Sequence, residues 1–73
     1  MQDEFLRQME HSLTLPSGTI KSIKEPLASF PCWDSLGMLN VVSMLDLNYK
    51  CEITFEQLRG CKDIEDILKH VRP

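Results

Sequence analysis

Seventy-three residues with a net charge of −3 and 42% hydrophobic content allow one small domain with one core. Such a chain buries only roughly 60% of the surface its unfolded form exposes, too little for a core and a deep enclosed active site, so catalysis by this chain alone is a poor first hypothesis. The mild acidity argues against a duplex nucleic-acid reader, which normally shows a basic stripe. With no apolar run near the ~20 residues of a membrane span and no charged-then-apolar signal peptide at the start, a cytoplasmic protein is expected.

The first helix is predicted over residues 2–13. Phe5, Leu6, Met9 and Leu13 recur at helical spacing, while Glu4, Arg7, Gln8 and Glu10 cover the other, solvent side. Asp3 and Glu4 lie in the first turn, where negative charge suits the positive end of the helix dipole. Pro16, Ser17 and Gly18 then stop the helix. The stretch from Thr14 to Trp33 is long for a connection in so small a domain, and a segment of that kind carries structure or function of its own. Ile20, Ile23, Leu27 and Phe30 are spaced to pin it to the core, through one helical turn ending before Pro26. It reads as a tethered crossover loop.

The second helix is predicted over residues 35–47, and it is apolar on two sides. At ~100° per residue, Met38, Val41, Val42 and Leu45 form a core face. Nearly opposite lie Leu36, Leu39 and Leu47, interleaved with Asn40, Ser43 and Asp46. The core explains one stripe; the other needs a further partner, either more of this protein, with Leu36 and Leu39 packed under the long loop, or a different one. The third helix is short, at residues 54–59. Thr54 and Gln57 make a capping box, Ile53 and Leu58 the two ends of a hydrophobic staple, and Gly60 the stop. A fourth helix over residues 63–72 buries Ile64, Ile67, Leu68 and Val71, with Lys69, His70 and Arg72 at the negative end of its dipole. No strand pattern competes. The expectation is an all-α four-helix bundle with a long first loop and a short third helix, acting as a monomer.

Cys32, Cys51 and Cys61 are odd in number and form no CxxC pair, which argues against a disulfide framework, a zinc site or a redox motif. They read as small hydrophobes in a reducing compartment. His11 and His70 sit in polar helical patterns and read as surface residues.

The informative segment is Trp33-Asp34-Ser35-Leu36-Gly37, at the junction of the loop and the second helix. Asp34 is a natural N-cap, and Trp33 at the preceding position can pack on Met38. Ser35 is left at the first helical position with a hydroxyl free of capping work. A phosphate carried there would sit in the favourable field of the helix N-terminus. Ser35 does not read as an enzymatic nucleophile, because it lacks a Gly-x-Ser-x-Gly elbow and neither histidine is spaced to act as its base. Any chemistry at Ser35 needs an outside activator or an attached group.

The same segment, followed by an apolar helix, a loop, a capped short helix and a closing amphipathic helix, resembles the acyl carrier protein family. The Asp34-Ser35-Leu36 core is similar to that family's attachment motif, and the likeness spans most of the chain. The resemblance implies a four-helix bundle of acyl-carrier type. Its motif serine, here Ser35, is esterified with 4′-phosphopantetheine from coenzyme A by a phosphopantetheinyl transferase. The arm's thiol then holds an acyl or aminoacyl group as a thioester for acyl-loading, acyl-transfer or condensing enzymes. Asp34 and Leu36 would help the transferase recognise the motif. The side bearing Leu36, Leu39, Asn40, Ser43 and Leu47 would be the docking face. No metal and no catalytic residue are implied, and the chain is expected to be a free-standing carrier, a cosubstrate for other enzymes.

One departure bears on the pathway. Carriers of primary fatty-acid synthesis typically present a strongly acidic second helix, which steers them to basic partners; here that helix holds only Asp46. Docking that depends little on salt is expected, in a specialised route such as polyketide, peptide or envelope-saccharide biosynthesis. The competing expectation is an unmodified helical interaction module using the Leu36/Leu39 face.

Overall fold

A computed structural model describes residues 2–71. α1 spans Gln2–Ser12 and buries Phe5, Leu6 and Met9, with Leu13 just beyond its end. Its last turn closes in a Schellman motif: the Leu15 N–H donates to the Glu10 carbonyl at 2.8 Å and the Thr14 N–H to the His11 carbonyl at 3.2 Å. The left-handed position of that motif is held by Thr14 at φ 58°, where glycine is the usual occupant and a β-branched residue is strained. This is why the helix stops at Ser12, ahead of the Pro16-Ser17-Gly18 signal.

The solvent face expected for α1 is only partly exposed. Glu10 is buried, at 2% exposure. Its two carboxylate oxygens accept from separate loop amides, Gly18 at 3.2 Å and Ile20 at 2.6 Å. Arg7 Nη2 donates to the Ile20 carbonyl at 2.8 Å, and Arg7 Nε lies 3.1 Å from Glu10 Oε1 without the alignment of a hydrogen bond. A buried carboxylate is tolerable only when paired and hydrogen-bonded, and here the pair ties the start of the long loop to the helix.

That loop is anchored as expected, with Ile20, Leu27 and Phe30 buried and Ile23 half-buried. The helical turn lies on the other side of Pro26 from the expected one. Pro26 precedes a 3-10 turn at Leu27–Ser29, because a fixed proline φ starts a helical turn as readily as it prevents the preceding residue from continuing one. Leu27 N–H donates to the Lys62 carbonyl and Glu65 N–H to the Ile23 carbonyl, both at 2.9 Å, so the loop crosses to the start of the last helix. The isolated bridge between Pro26 and Asp63 is part of this crossing, and no strand occurs among the described residues.

α2 spans Ser35–Tyr49 and runs past the expected Leu47 to a left-handed Lys50 at φ 51°. It packs most extensively on α1 and α3. Its buried residues are Gly37, Val41, Met44 and Leu45, whereas Met38 and Val42 are half-buried. The core face is therefore rotated by about 60° from the Met38-Val41-Val42-Leu45 face, at ~100° per residue. The cause is Gly37. A Cβ there would collide with the Cys32 carbonyl oxygen and lie 3.2 Å from Leu13 Cδ2, so the bare α-carbon lets the loop and the end of α1 close onto that side of the helix.

α3 spans Phe55–Arg59 and α4 spans Ile64–Val71. The capping box is as expected: Gln57 N–H donates to Thr54 Oγ1 at 3.0 Å, and Thr54 N–H to Gln57 Oε1 at 2.9 Å. Ile53 and Leu58 are both buried. Gly60 ends α3 in right-handed conformation at φ −77°, so its role there is not the left-handed cap. Asp63 lies before α4 and accepts from Asp66 N–H at 3.0 Å, while the Asp66 carboxylate accepts from Lys62 N–H at 3.0 Å. The Lys62 N–H, with the Lys69 ammonium and the Asp63 N–H adding to it, holds the Asp66 carboxyl below its ordinary value of 3.8. Ile64, Ile67 and Leu68 are buried and Val71 is half-buried; the expected extension to Arg72 lies outside the described residues. The fold is all-α, with four α-helices in a body of 26 × 25 × 20 Å among the described residues.

Candidate functional site

The loop reaches α2 through a tight turn in which Asp34 N–H donates to the Cys32 carbonyl at 2.9 Å. Asp34 then leaves the turn in extended conformation, and its Oδ1 accepts from the Gly37 N–H at 2.9 Å. This is the N-cap the sequence predicts, and it is charge-assisted. Because Asp34 caps the helix, Ser35 is its first residue and has no capping bond to make. Ser35 is exposed, on a helix of fifteen residues whose unpaired N-terminal amides favour an anion.

Leu36, Leu39, Asn40, Ser43 and Leu47 are all exposed and fall within one arc of α2, at spacings of three, four, seven and eleven residues from Leu36. The three leucines are 68%, 54% and 79% exposed. Leu36 and Leu39 thus do not pack beneath the long loop, and the second apolar stripe of α2 faces solvent. Trp33 and Met38 are half-buried at the edge of the core.

The periodicity of the sequence does not reveal a groove that lies beside the motif. A shallow groove of about 130 Å³ lies between the end of α1, at Ser12, Leu13 and Thr14, and the first turns of α2, at Leu36 and Asn40. Cys32 and Asp34 line the junction. The only hint in the sequence is Gly37, since a glycine inside a helix usually has a packing reason.

Cys32, Cys51 and Cys61 are free, and their thiols donate to the Leu13, His70 and Gln57 carbonyls respectively. Burial pushes the Cys51 and Cys61 thiols up, and the Asp66 and Asp63 carboxylates add to the effect at Cys61. His11 and His70 are exposed. No cluster of metal-ligating side chains occurs among the described residues, and no described helix is long and apolar enough to cross a membrane. The Tyr49 hydroxyl is buried without a partner, its ring tilted against Phe5 at 5.4 Å.

The residues at the start of α2 fit a covalently attached phosphate-linked group: an exposed hydroxyl, a helix N-terminus behind it, and a neighbouring carboxylate already engaged by the backbone. No family model, curated protein or solved structure matches the chain.

Proposed function

We propose that this chain is a carrier protein of the acyl-carrier type, whose Ser35 accepts 4′-phosphopantetheine from coenzyme A through a phosphopantetheinyl transferase. The observation that carries the reading is the division of labour between adjacent residues. Asp34 satisfies the helix start through Gly37 N–H, which leaves the exposed Ser35 hydroxyl uncommitted. When attached, the group supplies a mobile thiol that carries an acyl or aminoacyl cargo in activated form.

The chain's own residues present that group. Asp34 fixes the first turn of α2 and so the place of Ser35. The long loop holds the junction through the buried Leu27 and Phe30 and through the Cys32 thiol on the Leu13 carbonyl at 3.0 Å. Leu36, Leu39 and Leu47, with Asn40 and Ser43 between them, offer loading and transfer enzymes a largely uncharged face beside the attachment point. Burying three exposed leucines would contribute several kcal/mol at roughly 1.5–3 kcal/mol for a fully buried side chain, an attraction that salt does not screen. The pathway proposed is accordingly a specialised one.

The exposed leucines also favour a second reading, an unmodified helical module that binds a partner through Leu36 and Leu39. Incubation with coenzyme A and a promiscuous transferase separates the two. The carrier gains one phosphopantetheine mass and the Ser35→Ala variant gains none; a wild-type chain that gains nothing leaves the interaction module standing.

A further inference from the structure

We infer that the groove between the end of α1 and the start of α2 seats the proximal part of the arm tethered at Ser35, an inference that rests on the carrier reading above. Both sequence neighbours of Ser35, Asp34 and Leu36, line the groove, so the attachment residue lies beside it and a flexible arm can fold back into it. The groove's volume is about 130 Å³. A cavity of roughly 150 Å³ holds a benzene-sized molecule, so the groove takes a fragment of the arm, not its whole length.

The lining matches the branched, hydroxylated and amide-bearing part of that arm. Leu36, largely exposed, offers apolar surface to its geminal methyl groups, with the buried Leu13 at the groove's floor. The polar groups of the lining divide into committed and available ones. The Asp34 carboxylate is engaged by Gly37 N–H and the Cys32 thiol by the Leu13 carbonyl. The Ser12 and Thr14 hydroxyls and the Asn40 carboxamide remain available. A carboxamide both donates and accepts, which is what pairing with an amide requires. Thr14, at the left-handed position that closes α1, lines the groove. A resting position of this sort lowers the conformational freedom of the arm while leaving the Leu39 and Leu47 surface uncovered.

The test compares amide spectra of the protein before and after loading with coenzyme A and a transferase, with loading verified by intact mass. Resonances of Ser12, Leu13, Thr14 and Cys32 and the side-chain amide of Asn40 are expected to shift, with cross-relaxation between the arm's methyl groups and Leu13. In the fraction of Asn40→Ala that intact mass shows to be loaded, the shifts at Ser12–Thr14 should be lost. A loaded protein whose shifts are confined to residues 34–38 overturns the groove assignment and leaves the carrier reading intact, as does an Asn40→Ala pattern identical to wild type. A protein that gains no mass overturns both.

Discussion

Replacing Gly37 by alanine sets two effects of opposite sign against each other. Alanine inside a helix is favoured over glycine by up to ~1 kcal/mol, and on helix propensity alone the substitution should stabilise α2. The structure opposes this. The added Cβ collides with the Cys32 carbonyl oxygen, a backbone atom that cannot swing away as a side chain would, and it crowds Leu13 Cδ2 at 3.2 Å. Overpacking costs about 1–3 kcal/mol, and a collision with a backbone oxygen belongs at the upper end, so the net change after the propensity gain is a destabilisation of about 2 kcal/mol. In urea, with a slope of about 1 kcal/mol/M for so small a chain, the unfolding midpoint falls by 1 M or more. The same carbonyl accepts from Asp34 N–H, so relief of the clash displaces the residue that caps α2. Gly37→Ala should therefore also be loaded at Ser35 more slowly than wild type. Urea titration followed by helical circular dichroism is the assay. A midpoint at or above wild type with an unchanged slope would refute the close approach of loop and helix.

Glu10→Gln leaves one acceptor oxygen where two separate loop amides now bond, so one of them goes unpaired at a cost of about 1–3 kcal/mol; faster hydrogen exchange at Gly18 or Ile20 reports which. Thr14→Gly relieves a left-handed threonine and should stabilise the fold by about 1 kcal/mol, seen as a raised melting temperature. For Asp66, a folded-state pKa below 3.8 means the unfolded chain binds the proton at higher pH. Its contribution is then present above that value and lost as pH falls through the folded one. Melting temperature measured against pH should decline on acidification through this range, and less steeply in Asp66→Asn.

What the sequence made readable followed local rules. The Thr54–Gln57 capping box, the Asp34 cap and the buried stripes of α1 and α4 depend on neighbours within a turn or two, and each is where the spacing put it. What it concealed depended on groups distant along the chain. Glu10 patterns as a solvated residue of α1, and only the return of Gly18 and Ile20 past the helix end gives its carboxylate buried partners. The rotation of α2 follows from the approach of the Cys32 carbonyl to Gly37, which periodicity within one helix does not encode. The groove beside Ser35 has the same origin, since its walls come from α1, the loop and α2 together. The two apolar stripes of α2 were readable from its periodicity, but whether the long loop covered Leu36 and Leu39 was not, because that depends on where the loop crosses; both are exposed.

Intact mass spectrometry of the protein isolated from its native cell, with peptide mapping of the Asp34-Ser35-Leu36 segment, tests the assignment of Ser35 most directly. A population bearing phosphopantetheine, with or without cargo, on Ser35 alone is expected. Native material in which that serine is uniformly unmodified would contradict it.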